Sequence, residues 1–255
     1  MIDLTFAIIS AIAYGVAPIF YKPALQCTMQ LRAMSVFSTY SILLGLLLPW
    51  KTLDIDGVLY AIVAGSIGGV FGSWLYLTSI KIGGAAVGNI SSSMYIVLLP
   101  LLSGKWWLWP SAGLVLLGIA TAAFHRDGEL RGALFGVSAA VVWSFSIMLY
   151  AHAVDKLGVG GALFIRGITV FTLSTLLGLR GRICKLRRLI GGGFLDTFIG
   201  FGSYTYAISQ GDYVRSTIVV STYPLLTSIL EKPLRFRKVL GAAIAFLGVL
   251  YIFIV

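Results

Sequence analysis

Charge-free apolar runs, each close to the length needed to cross a bilayer, follow one another along this chain. A spanning helix needs about 20 mostly apolar residues. The first run is Leu4–Tyr21, closed by Lys22, with Pro18 inside it removing one backbone hydrogen bond. Ala33–Trp50, Gly57–Ile80, Gly84–Gly104 and Trp106–Phe124 follow. After a polar junction, His125 to Arg131, come Gly132–Ala153, Val159–Leu179, Leu189–Ser209, Val214–Leu230 and Val239–Val255. The 255 residues are 58% hydrophobic and 11% charged, whereas a soluble domain carries about 25% charged residues. The fold class that follows is an all-α integral membrane protein of ten transmembrane helices.

The chain also repeats itself. Phe71-Gly72-Ser73-Trp74-Leu75-Tyr76 returns as Phe201-Gly202-Ser203-Tyr204-Thr205-Tyr206, an offset of 201 − 71 = 130. Held there without a gap, Ser79 falls on Ser209, Ser91 on Ser221, Ala112 on Ala242 and Gly118 on Gly248. Further upstream, Tyr14 and Tyr21 fall on Trp143 and Tyr150, and Arg32 on Arg166. Two units are therefore expected, 1–126 and 127–255, joined at the charged junction. Five spans per unit is an odd number, so the second unit must enter the membrane from the opposite side. The result is a pair of inverted five-helix repeats, an arrangement that many secondary transporters use for alternating access.

Loop charge predicts the orientation. Fourteen of the 19 Lys and Arg fall on the face carrying the odd-to-even helix connections, from Lys22 to Lys238, and five on the other. The positive-inside rule places the first face in the cytoplasm and both termini outside, in the cell membrane. A net charge of +10 is explained by that bias, and no basic helix or aromatic-interleaved patch suggests nucleic acid. Cys27 and Cys184 have no CxxC or metal spacing and are expected as free thiols. No metal and no cofactor is expected. No cleavable signal peptide is apparent, because Asp3 leads the first run without a basic n-region.

The ten-helix pattern, the linker Asp127-Gly128-Glu129-Leu130-Arg131-Gly132, and the ending Glu231-Lys232-Pro233-Leu234 followed by Leu240-Gly241-Ala242-Ala243-Ile244-Ala245-Phe246-Leu247-Gly248-Val249 resemble the drug/metabolite transporter superfamily in its EamA-like branch. That resemblance covers nearly the whole chain. It implies two inverted five-helix repeats and transport of a small metabolite or drug, such as an amino acid, amine or nucleobase. Many such proteins are exporters. The family's glutamate after the fourth helix of a repeat stands as Glu231, but the first half has Leu101 there. The proline of that helix is Pro224, against Met94 in the first half. The halves have diverged, so roles do not transfer between them.

Several side chains compete for functional roles. Tyr14, Trp74, Tyr76, Trp143, Tyr204 and Tyr206 offer rings with polar tips. These suit a cavity wall for an amphipathic or cationic ligand, or else helix packing and the interfacial belt. Trp74 and Tyr204 are expected to face each other across the pseudo-two-fold, positioned by the tight Phe71-Gly72 and Phe201-Gly202 pairs. Asn89, Ser92 and Tyr95 in the fourth span and Ser221 and Tyr223 in the ninth should point inward, lining the path or bonding across helices. Pro224 should free a carbonyl near Val220. Asp196 is an acid inside a predicted span and a candidate for proton coupling. Alternatively, Gly191-Gly192-Gly193 delays the eighth helix and leaves Asp196 near the interface, paired with a basic residue of the preceding loop. Arg32 and Arg166 are gate or anion-ligand candidates, or they snorkel to the interface.

The leading function is a secondary transporter working on a small-molecule substrate, embedded in the bilayer as a monomer or homodimer. Its rivals are a lipid-carrier flippase of the same fold and an integral-membrane enzyme acting on lipid. The enzyme would need clustered acids, histidines or a metal set. The nine acids and two histidines are scattered, and no Walker A, GxSxG or HExxH sequence occurs.

Overall fold

The computed structural model describes residues 5–102, 107, 109–123, 127–210, 213–231, 233 and 235–254. These residues form helices and connecting turns, with no strand among them. The chain opens with α1 (Thr5–Leu25) and α2 (Gln30–Leu47). Next, α3 (Ile55–Ala64) passes through a π-helical stretch, Gly65–Gly72, into α4 (Ser73–Gly83). The short helices α5 (Ala85–Ser92) and α6 (Tyr95–Leu102) are followed by α7 (Trp109–Ala123). A long element, α8 (Asp127–Leu177), bends at Gly158. Then α9 (Leu186–Gly193) continues through a second π-helical stretch, Phe194–Phe201, into α10 (Gly202–Ser209). The chain closes with α11 (Tyr213–Val220), α12 (Tyr223–Leu230) and α13 (Phe236–Ile254).

Four helical runs among the described residues are long and apolar enough to cross a bilayer: Thr5–Leu25, Ile55–Gly83, Ala85–Leu102 and Glu129–Leu177. Large apolar side chains such as Leu46, Leu59, Phe71, Leu116, Leu134, Leu176 and Leu247 face outward on them and on their neighbours. That suits a lipid surface better than water, where contiguous apolar patches of this kind are rare.

Several expected spans have a different form. The predicted sixth and seventh helices meet directly at Gly158, whose φ of +75° is open mainly to glycine, so the chain turns there with no intervening loop. The fourth and ninth are each broken near the middle, at 93–94 and at 221–222. The eighth begins at Leu186, so Gly191-Gly192-Gly193 lies inside the helix and does not delay it. Expected helix ends at Leu4, Gly104, Trp106, Phe124 and Val255, and the linker residues His125 and Arg126, fall outside the described residues.

Contacts define two ends of the molecule. At one end Lys22 and Lys238 meet Glu231, Arg235 and Arg237 meet Glu129, and Thr28 bonds the backbone of Cys184. At the other end Lys156 sits between Asp54 and Asp56, 3.1 Å from each, and Lys51 lies 3.7 Å from Asp155. The Asp54 carboxyl is held below its ordinary range by the Gly57 amide and by Lys156. In between, close helix contact depends on small residues. The Ser79 hydroxyl donates to the Gly132 carbonyl at 2.6 Å, joining α4 to α8. Helices α7 and α13 cross at Gly118 and Gly241. A Cβ on Gly118 would lie 2.5 Å from the Gly241 carbonyl, so neither helix tolerates bulk there.

Candidate substrate cavity

A cavity of about 150 Å³ lies among α1, α2, α4, both limbs of α8, the second π-helical stretch, and the helices that follow it. Its wall is mainly aromatic. Tyr14 and Tyr21 come from α1, seven residues and therefore two helical turns apart on one face. Trp143 and Tyr150 come from the first limb of α8 with the same spacing. Phe37, Tyr76, Tyr95, Tyr204, Tyr223 and Phe201 complete the rings. Many of these touch: Tyr76 and Trp143 at 5.1 Å between centroids, Tyr95 and Trp143 at 5.9 Å, Tyr14 and Tyr223 at 6.0 Å. The hydroxyls of Ser38, Ser41, Ser73, Ser146 and Thr197 lie between them.

Two charged side chains enter this wall, Arg166 from the second limb of α8 and Asp196 from the π-helical stretch. The Arg166 guanidinium stacks over Phe201 at 4.1 Å and Tyr150 at 5.5 Å. The Asp196 carboxylate accepts from the Thr197 hydroxyl at 3.4 Å. Local structure explains how both can sit there. A π-helical turn widens the helix and re-aims its side chains. The turn over Phe194–Phe201 places Asp196 and Phe201 on the cavity together. The matching turn, Gly65–Gly72, leaves the Gly68 carbonyl accepting from the Trp143 indole at 3.0 Å, which fixes that ring.

Of the residues singled out from sequence, Tyr14, Tyr76, Tyr95, Trp143, Tyr204, Tyr223, Arg166 and Asp196 line the cavity. The others lie elsewhere. Trp74 stacks on Phe71 at 6.1 Å and meets Phe135 edge-on at 6.3 Å, so it does not face Tyr204 across the cavity. Tyr204 instead bonds Thr217 at 2.7 Å. Tyr206 packs against Phe6. Asn89 and Ser92 form a layer behind the wall: Asn89 accepts from the Tyr76 hydroxyl at 2.5 Å, and Ser92 bonds the Tyr223 hydroxyl at 3.2 Å. The Ser221 hydroxyl donates to the Ile218 carbonyl within its own helix. Arg32 sits beside Gly178 and Gly181, near the end where Thr28 meets Cys184. Asp196 shares its surroundings with Arg166 and Tyr21 rather than with the basic loop that precedes α9. Pro224 opens α12 just past the break at 221–222.

Sequence reasoning missed Tyr21, Tyr150 and Phe201 as wall residues, although each stood in the repeat alignment. It also missed Met34, Phe37, Ser38 and Ser41, which bring α2 into the wall. Cys27 and Cys184, far apart in the chain, prove to be neighbours: the Cys184 thiol donates to the Cys27 carbonyl at 3.2 Å, and both thiols are free.

A helical bundle with an outward apolar surface and an interior cavity lined with rings has the form of a multi-pass membrane transporter. Residues 130–254, the second half of the chain, match the model of the EamA-like transporter family, which places the protein in the drug/metabolite transporter superfamily. Members of that family are transporters rather than enzymes. A solved crystal structure of a protein has the same fold, with a TM-score of 0.65 over 96% of this chain and 95% of that one, at 14% identity. No curated protein sequence matches the chain.

Proposed function

We propose that this protein is a secondary transporter, not driven by ATP, which carries a compact zwitterionic metabolite through the cavity by alternating access. The observation that carries the reading is the presence of Arg166 and Asp196 in one ring-lined cavity. A lone charge within a membrane-spanning segment is costly unless it is paired or functional, even where, as here, the side chain is only partly buried. Two opposite charges set among rings offer a carboxylate partner, an ammonium partner and stacking faces to one ligand. The volume limits size. About 150 Å³ is close to what a benzene-sized guest occupies, and below the roughly 300–1,000 Å³ of sites for drug-sized ligands.

Two inverted five-helix repeats, 1–126 and 127–255, are part of the same proposal. Its support is that local irregularities recur at a nearly fixed interval. The π-helical stretches begin at Gly65 and Phe194, 194 − 65 = 129 residues apart. The mid-helix breaks begin at 93 and 221, 221 − 93 = 128 residues apart. We place the Lys22–Glu231 end in the cytoplasm from loop charge, and take export as the direction from the resemblance to the family's exporters. Asp196 is the candidate for coupling to protons.

The test is a thermal-shift screen of purified protein, since binding to the native state raises Tm. Compact α-amino acids should raise it. Their esters and deaminated acids should raise it less. Equal shifts from all three, or a response confined to drug-sized neutral compounds, would refute the zwitterion reading.

A further inference from the structure

Glu231 is almost wholly buried, at 2% exposure, yet it is not part of the cavity wall and stands at the C-terminal end of α12. Its carboxylate is held like a bound anion. One oxygen accepts from the Ala85 amide at 2.7 Å and the Lys22 ammonium at 2.5 Å. The other accepts from the Ala86 amide at 2.6 Å, and the Lys238 ammonium stands 3.5 Å away. The two amides are the first of α5, aimed by Gly84, whose φ of +94° turns the chain into that helix. Free amides and the dipole at a helix start favour an anion there. Four elements, α1, α5, α12 and α13, therefore meet on one side chain.

One turn deeper the same two helices are joined again. The Asn89 amide of α5 donates to the Thr227 hydroxyl of α12 at 2.6 Å, and Thr227 donates to the Gly15 carbonyl of α1 at 2.7 Å. The carbonyl side of Asn89 accepts from Tyr76, a cavity wall residue. This second rung ties the seam to the binding site. At the opposite end the ion pairs among the described residues, Lys156 with Asp54 and Asp56 and Lys51 with Asp155, are half-exposed or exposed. Exposed pairs open easily, while a buried pair resists separation.

We propose that Glu231 is the latch of the α5–α12 seam: it shuts the pathway at this end, and the transport cycle opens that end by withdrawing the carboxylate from Ala85 and Ala86. The proposal rests on the transport reading above. Burial works against the charged form of Glu231, but Lys22, Lys238 and the Ala86 amide outweigh it and hold the carboxyl below the ordinary glutamate range. The latch is therefore charged at neutral pH, and it is released by movement of the helices rather than by a proton.

The test reads side-specific access. In a Cys27→Ser, Cys184→Ser background, Ser73→Cys places a reporter thiol on the cavity wall. Oriented vesicles are treated with a membrane-impermeant maleimide from the Glu231 side and, separately, from the opposite side, and the rates that follow are those from the Glu231 side. Glu231→Gln should raise the labelling rate at least several-fold, Lys238→Gln should raise it less, and Asp54→Asn at the other end should leave it unchanged. Equal rates in all four proteins, or an equal rise with Asp54→Asn, would overturn the latch. Should Glu231→Gln fail to give a monodisperse protein, Lys238→Gln decides alone, and no increase there is a refutation. A thiol reached from neither side in any variant would sink the transport reading itself and the latch with it.

Discussion

Arg166 and Asp196 make a prediction that separates ligand recognition from protein stability. Arg166→Gln removes a guanidinium stacked at 4.1 Å on Phe201 and 5.5 Å on Tyr150. Two such contacts at a partly buried site amount to about 1–3 kcal/mol. At roughly 2–4 °C per kcal/mol for a protein of this size, Tm of the empty protein should fall by about 2–12 °C. The ligand effect is distinct. A charge-assisted contact contributes about 1.5–3 kcal/mol, which corresponds to roughly 10- to 150-fold in Kd. Measured by calorimetric titration, Arg166→Gln should weaken a compact α-amino acid by that factor and leave its methyl ester nearly unaffected. Asp196→Asn should weaken the amino acid, leave the deaminated acid no weaker, and bring that acid closer to the parent ligand. Crossing two residues with two ligand groups gives four independent numbers. Losses that are the same for amino acid, ester and acid would show that both substitutions act through the fold, and the zwitterion assignment would fall.

Other consequences are simpler to check. Tyr76→Phe removes the hydroxyl that satisfies the buried Asn89 carbonyl, so it should cost about 1–3 kcal/mol of stability, read as a lower Tm with the ring contact to Trp143 retained. Gly118→Leu pushes α7 away from the Gly241 carbonyl and from Ala245, 2.8 Å from its new Cβ. Overpacking of this kind costs about 1–3 kcal/mol or more, and Gly113→Leu on the same helix, with open space around it, should be tolerated. Glu231 sets a pH limit. Its carboxyl is depressed despite burial, through Lys22, Lys238 and the Ala86 amide, so its contribution is complete above the ordinary glutamate value of about 4.3 and is lost as pH falls through the lower folded value. The acid limb of a Tm–pH curve should flatten in Glu231→Gln, and an unchanged limb would show that other carboxylates cause it.

The membrane class could be read from the chain because it depends on composition and run length, which the sequence states directly. Six of the ten rings in the wall could be read because rings with polar tips are informative inside an apolar span. What could not be read was helix phase. Trp74 and Tyr76 differ by two residues, about 200° of helix, and only the π-helical stretch before them decides which of the two faces inward. Such a stretch changes the phase of everything beyond it, and no periodicity argument anticipates it. Arg166 and Asp196 were invisible as a pair for the same reason. They belong to different helices 30 residues apart in the chain, and both meet the cavity because the second stretch turns Asp196 toward the limb that carries Arg166. Yet one signal was available. Tyr14 with Tyr21 and Trp143 with Tyr150 are each spaced by seven and matched across the repeat at 129. A paired ring spacing of two full turns marks one helix face, and that face is the cavity wall in both places.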